Sequence, residues 1–385
     1  MSGIHQGHQR FPCFEGIRAI AALSIIVYHS MFFTSLFFDI WGGSVWANLN
    51  AGVWVFFVTS GFLLYLPFAA HHLGKAPAVD TGRYAARRAA RIYPAYWVVV
   101  AFFTLVIAKA QIFGFDGFLR HFSLTQTYTA EKNPFLVGLP PAWSLVVEVT
   151  FYVLLPLYAL GVAAGARRSR PIVAEFVGAG LFAGVGVLAI VAVAAGFDPV
   201  WMTVFPQHAL PFGLGILLAV CVTHDWPAAV AERFAGAGER SWIWWCGALA
   251  ALLAIPFLAG IDPGERLSSA QIVELNLLQT AIGFCIVVPA ALGRQRTRGI
   301  RRALQTPVLV YLGVVSYGLY LWHWWVLGIV QHDWLGWDVN SGNWLALLAL
   351  GLPVVVGAAT LSWFVVERPI IGLARRARRR PVPAA

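Results

Sequence analysis

Charge is what this sequence has least of. Only 11% of its 385 residues are Asp, Glu, Lys or Arg, less than half the share carried by an average water-soluble chain, while 59% are hydrophobic. No single aqueous core hides that much apolar side chain, so a soluble globular protein is excluded. Cysteine is scarce as well: Cys13, Cys221, Cys246 and Cys285 stand far apart without metal-ligand or redox spacing, which excludes a disulfide framework or a thiolate metal site. They read as small buried apolar residues, and no metal is expected. Internal repeats, low-complexity linkers and a polar stretch long enough for a soluble domain are missing too. The formal net charge of +10 would suggest a nucleic-acid partner in a soluble protein. Here the placement of the charge matters more than its sum, and no nucleic-acid partner is expected.

What the chain has instead is length in its apolar runs. They lie at about 17–36, 51–70, 93–112, 143–164, 172–195, 204–222, 242–260, 273–292, 306–330 and 344–366, each close to the roughly 20 residues that cross the hydrocarbon layer as a helix. The fold class read from this is all-α: a polytopic integral membrane protein of about ten transmembrane helices. With the N-terminus placed in the cytoplasm, all but four of the 27 Lys and Arg residues fall on the inner side; the four are Lys109, Arg120, Lys132 and Arg266. Cytoplasmic loops retain Lys and Arg, so both termini are expected to be cytoplasmic. The first apolar run is too long, follows Glu15 and Arg18 rather than a plain basic lead, and shows no clear A-x-A cleavage site, so it is expected to be a retained helix rather than a signal peptide. Three segments result: a cytoplasmic lead at 1–16, a membrane domain at 17–366 and a basic tail at 367–385 whose arginines from Arg375 to Arg380 suit anionic lipid.

Function is sought where the helices break their apolar rule, because an ionisable group inside the bilayer is costly. Arg18 and His29 are eleven positions apart, which on a helix is about 16 Å along the axis and nearly the same face. His29 then stands near mid-membrane above an inner-edge Arg18. The structural alternative pairs Arg18 with Glu15 and lets His29 bond a neighbouring helix. In PPAWSLVVEVTFY, Glu148 and Tyr152 are one turn apart below the outer surface, and a carboxylate there needs a proton, a partner or water; a structural salt bridge is the plainer explanation. In LGVVSYGLYLWH, Ser316, Tyr320 and His323 align on one helix face, for a direct role or for a core hydrogen bond. Thr59, Ser60 and Gly61 read as close helix packing. RYAARRAARIYPAY sets Arg83, Arg87, Arg88 and Arg91 at the inner mouth; topology and lipid account for part of this patch, but Arg is also suited to bidentate phosphate recognition.

Taken together these motifs resemble the acyltransferase-3 family of bacterial membrane O-acyltransferases over nearly the whole chain. The R-x10-H pattern is Arg18 and His29 in EGIRAIAALSIIVYH, the R-x-x-R pair is Arg88 and Arg91, and GVWVFFVTSGFLLY, WSLVVEVTFY, LGVVSYGLYLWH and the ERP of Glu367, Arg368 and Pro369 follow in order. Glu15, where many members have Asp, and Ala19, where Gly is common, are mild departures. Larger members carry an added soluble domain, which this chain is expected to lack.

The resemblance implies transfer of an acyl group from cytosolic acyl-coenzyme A, with acetyl-coenzyme A the default donor, in a bacterial cytoplasmic membrane. The acceptor is a hydroxyl of a sugar, a glycolipid or a secreted natural product such as a macrolide. It makes Arg18, His29, Arg88 and Arg91 essential. The expected mechanism has Arg18, Arg88 and Arg91 hold the coenzyme phosphates and His29 act as general base, or briefly carry the acyl group itself. Glu148 is expected to orient His29, and Tyr320 or His323 to stabilise the oxyanion. The rival reading is a proton-coupled transporter or flippase of a lipid-linked sugar, with His29 and Glu148 as its relay.

Overall fold

The computed structural model describes residues 11–35, 43–106, 112, 114–128, 138–197, 204–258, 268–294, 298–338 and 340–376. Lys109, Lys132 and Arg266, residues 1–10 and the tail beyond Arg376 lie outside the described residues. Among the described residues nine single helices are long and apolar enough to cross a membrane, and a bent pair, taken as one span, makes ten. They are α1 (Phe14–Phe33), α2 (Gly52–His72) and α3 (Thr81–Ala101); α4 (Trp143–Ala166), α5 (Pro171–Ala194) and α6 (Ala209–Thr223); and α7 (Ser241–Leu258) and α8 (Ser269–Ala291). The last two are α9, with a lower arm Pro307–Val314 and an upper arm Ser316–Ile329, and α10 (Trp344–Ser362), which runs on through a π-helical turn to Arg376.

Two spans differ from the expected ones. The third begins at Thr81, twelve residues before its apolar run, because Asp80 accepts a hydrogen bond from the Arg83 amide at 2.9 Å and caps a helix that hydropathy cannot see through its arginines. The ninth is bent by 72° at Val315. Its lower arm is pressed onto α1 so closely that a Cβ on Gly313 would meet the Glu15 carbonyl oxygen at 2.0 Å.

The connecting segments rich in arginine gather at one end of the bundle. Lys75 pairs with Asp225 at 2.5 Å, Arg294 with Glu232 at 2.5 Å, and Arg301 donates to the carbonyls of Leu292 at 2.5 Å and Gly238 at 3.2 Å. At the other end Gln279 bonds Asn48 and Asn50, both at 3.1 Å, and Gln331 bonds the Phe33 carbonyl at 2.9 Å. This is the up-and-down alternation that places the ends of α1, α2, α3 and α9 around one opening.

α2 and α6 form the buried centre, and α5 and α7 turn apolar side chains such as Leu188 and Phe257 outward, as lipid contact demands. The centre is tight because a Cβ on Gly61 would lie 2.2 Å from the Phe212 carbonyl oxygen, whereas Gly180 on α5 has nothing within 4 Å. Gly61→Leu is therefore expected to abolish the monodisperse detergent-solubilised protein and Gly180→Leu to leave it intact, since overpacking a filled contact costs about 1–3 kcal/mol or more. Size-exclusion profiles of the two variants are the check.

Candidate active site

A cavity of about 550 Å³ opens between α1, α2, α3, α4 and the upper arm of α9. Its apolar wall comes from α1 and α2, with Phe14, Phe56 and Leu63 among the lining residues. Its polar wall gathers residues that are far apart in sequence: Arg18 from α1, Ser60 from α2, Arg88 and Arg91 from α3, Ser144, Glu148 and Tyr152 from α4, and Ser316, Tyr317 and Tyr320 from α9. Three guanidinium groups face two carboxylates, those of Glu15 and Glu148, so the lining is net positive.

Each charge is held differently. Arg18 Nη1 lies 3.3 Å from Glu15 Oε2, so the pairing of the structural alternative is present together with a place in the cavity wall. Arg88 stacks over the Tyr152 ring, 5.8 Å from its centroid, and its buried Nε has no partner among the described residues. Beyond Arg91 sits Glu367, 3% exposed, accepting a hydrogen bond from Ser362 at 3.4 Å and within electrostatic reach of Arg91 and Arg18. Glu367 had no role assigned from sequence beyond its place in the ERP motif. Its burial beside two arginines is a property of the fold and leaves no local signal.

Glu148 does not meet His29. Its Oε1 accepts from Ser60 Oγ at 2.6 Å and from Tyr152 OH at 2.5 Å, so the expected orienting contact with the imidazole is absent. Ser60, read as packing, is thus a ligand of the carboxylate, while the adjacent Gly61 does pack. Tyr320 donates to the Pro141 carbonyl and lies 3.2 Å from Ser144 Oγ, closing the cavity with a layer of hydroxyls.

The partner of His29 is His323. His29 Nδ1 and His323 Nε2 are 3.0 Å apart, and Trp324 packs edge-on to His29 with ring centroids 5.1 Å apart. Hydrogen-bond chemistry fixes the tautomers. His323 Nδ1 lies 2.7 Å from the Tyr320 carbonyl and 3.2 Å from that of Leu319; carbonyls only accept, so this nitrogen carries the proton. In the neutral ring Nε2 is then an acceptor, and His29 Nδ1 must be the donor to it. His29 Nε2 is left with an open lone pair. The same reasoning leaves neutral His323 with no N–H for an oxyanion, which corrects that expectation.

The expected path from the arginines to His29 is also corrected in one respect. The cavity wall reaches Ile25 and Tyr320, one helical turn short of His29 and His323. His29 is only half-buried, so the imidazole pair forms a second layer between the cavity and the opposite end of the bundle.

Residues 11–363 match the family described as "Acyltransferase domain". The acyltransferase MdmB of Streptomyces mycarofaciens is 27% identical over 417 residues, covering 98% of this chain and 95% of the relative. The exopolysaccharide production protein ExoZ of Rhizobium meliloti is 25% identical over 355 residues, covering 87% and 92%. The peptidoglycan O-acetyltransferase OatA of Listeria monocytogenes is 23% identical over 377 residues, and the match spans 93% of this chain but only 55% of the relative. No solved structure matches the chain.

Proposed function

The chain belongs to the acyltransferase-3 family of membrane enzymes, and we propose that it moves an acetyl group from acetyl-coenzyme A to a hydroxyl of a sugar. The observation that carries this reading is the cavity in which Arg18, Arg88 and Arg91 surround one opening and whose far end abuts the His29–His323 pair. An elongated donor with phosphates at one end and a thioester at the other suits that polarity. Two relatives, a peptidoglycan O-acetyltransferase and an exopolysaccharide production protein, favour a sugar as acceptor. The excess of Lys and Arg at the cavity mouth favours a cytoplasmic mouth, the side on which the donor would be made.

In this reading the arginines hold the phosphates through charge-assisted hydrogen bonds, and the pantetheine arm follows the apolar wall toward Tyr320. The acceptor approaches from the opposite side. Its oxygen attacks the thioester carbonyl while His29 Nε2 takes the hydroxyl proton, so that an alcohol becomes a competent nucleophile as the bond forms. The C–S bond then breaks, and the leaving coenzyme thiolate takes the proton back from the imidazolium. Ser144, at the cavity end, turns its hydroxyl to the developing oxyanion, while Tyr320 keeps its own proton on the Pro141 carbonyl. His323 does not touch the reacting atoms; it holds His29 in the tautomer that keeps Nε2 open. Glu148, fixed by Ser60 and Tyr152, balances the charge of the arginines.

Purified protein given acetyl-coenzyme A labelled in the acetyl group and an oligosaccharide is expected to yield labelled ester. Intact donor together with oligosaccharide crossing a vesicle wall would instead identify a carrier. The positioning role of His323 has its own measurement: His323→Ala should lower kcat by roughly 10²-fold, less than loss of the base itself, with little change in KM. His323→Gln, which restores an acceptor to His29 Nδ1, should recover part of that loss; equal kcat in the two variants would exclude tautomer control.

A further inference from the structure

The break in α9 puts a helix start inside the bundle. The last backbone bond of the lower arm runs from the Val315 amide to Tyr311, and the first of the upper arm from Leu319 to Val315, so the amides of residues 316–318 are those a helix beginning leaves over. Nothing among the described residues caps them: Val315 occupies the N-cap position without a side-chain hydrogen bond, and no acidic residue lies in the first turn. A second observation comes from Ser316. It lines the cavity, is fully buried at 0% exposure, and its hydroxyl has no hydrogen-bond partner among the described residues. Buried hydroxyls are ordinarily satisfied, and serine inside a helix usually turns back to its own backbone.

The break is also placed beside the arginines. Tyr317 OH donates to the Ile92 carbonyl at 2.8 Å, tying the first turn of the upper arm to the residue that follows Arg91, and Arg18 and Arg91 share the same cavity. Leftover amides and the positive end of a helix dipole attract an anion, and three guanidinium groups select one that is multiply charged.

We propose that Ser316 and the first-turn amides of the upper arm form a phosphoryl subsite, which together with Arg18, Arg88 and Arg91 grips the diphosphate of the coenzyme. This rests on the reading of the donor as an acyl-coenzyme A. It assigns the bend a purpose: it ends one helix and begins another at the depth where the phosphates lie, while the same upper arm carries His323 about 10 Å further along its axis.

The test compares acetyl-coenzyme A with S-acetylpantetheine, which has the same thioester arm and no phosphate. Ser316→Ala should lower kcat/KM for acetyl-coenzyme A by about tenfold through the lost hydrogen bond. Ser316→Asp, which sets a carboxylate against the phosphates, should lower it by about 100-fold. Both should lower kcat/KM for S-acetylpantetheine far less than for acetyl-coenzyme A. Equal losses on the two donors would mean a structural role and overturn the proposal, as would no loss on either. If the native protein does not use acetyl-coenzyme A at all, the donor reading fails. In that case calorimetric binding of inorganic pyrophosphate, present in native protein and lost in Ser316→Asp, would still support the subsite, and its absence would overturn that too. A Ser316-dependent response confined to phosphatidylglycerol nanodiscs, with coenzyme kinetics unchanged, would assign the subsite to a lipid headgroup and overturn the coenzyme assignment.

Discussion

His29→Ala is expected to lower kcat for acetyl transfer by about 10²- to 10⁴-fold, the range that a positioned general base supplies, while the KM for acetyl-coenzyme A changes by no more than about twofold. The two parameters separate because the cavity proposed to hold the donor does not include the imidazole. Arg18, Arg88, Arg91 and the apolar wall are untouched by the substitution, and Ile25 still stands between them and position 29. What is lost is the single open lone pair, His29 Nε2, whose availability follows from the chain of donors running from His29 Nδ1 to His323 and on to the carbonyls of Leu319 and Tyr320. Steady-state kinetics on purified protein, with folding verified by size exclusion, are the measurement. Unchanged kcat would remove His29 from the chemistry, and a matching rise in KM would mean that the ring is part of the donor site after all.

The number of spans was legible because apolar length is a local property, and each run of roughly 20 residues declares itself without reference to any other. The start of α3 was not, because its first turns are rich in arginine and only the cap at Asp80 marks the helix. Nor was the break in α9. Residues 306–330 read as one apolar run, whereas in the fold the helix turns by 72° and its lower arm packs with Gly313 against the Glu15 carbonyl. The site shows the same division. Spacing put Glu148 and Tyr152 on one face, and they are hydrogen-bonded at 2.5 Å; it aligned Ser316, Tyr320 and His323 on one helix, and they do form a column. Spacing gives height and face within a helix but says nothing of which neighbour stands opposite. For that reason spacing alone points His29 to Glu148, at a suitable depth, whereas the fold supplies His323, and it assigns Ser60 to packing, whereas Ser60 donates to the Glu148 carboxylate.

Replacing Arg88 and Arg91 together by alanine should raise the KM for acetyl-coenzyme A by roughly 10²- to 10³-fold, since each charge-assisted hydrogen bond to a phosphate contributes about 1.5–3 kcal/mol and neighbouring ones are not fully additive. kcat at saturating donor should fall far less. Insertion should survive: Lys75 remains in the connection between α2 and α3, and Arg83 and Arg87 in the first turns of α3, so the positive bias that orients these helices is reduced but not reversed. Arg88→Lys should not restore full affinity, because its guanidinium sits over the Tyr152 ring and an ammonium does not present a planar fork to a phosphate. Ionic strength provides an independent readout. In the native protein the KM for acetyl-coenzyme A should rise with salt, because added ions screen attraction to a multiply charged ligand at an open cavity mouth, and in the double variant this dependence should be much shallower. S-acetylpantetheine, having no phosphate, should respond neither to the substitutions nor to the salt. If the double variant keeps the native KM and its salt dependence, the arginines serve only to orient the protein in the membrane, and the cavity must recognise its donor by other means.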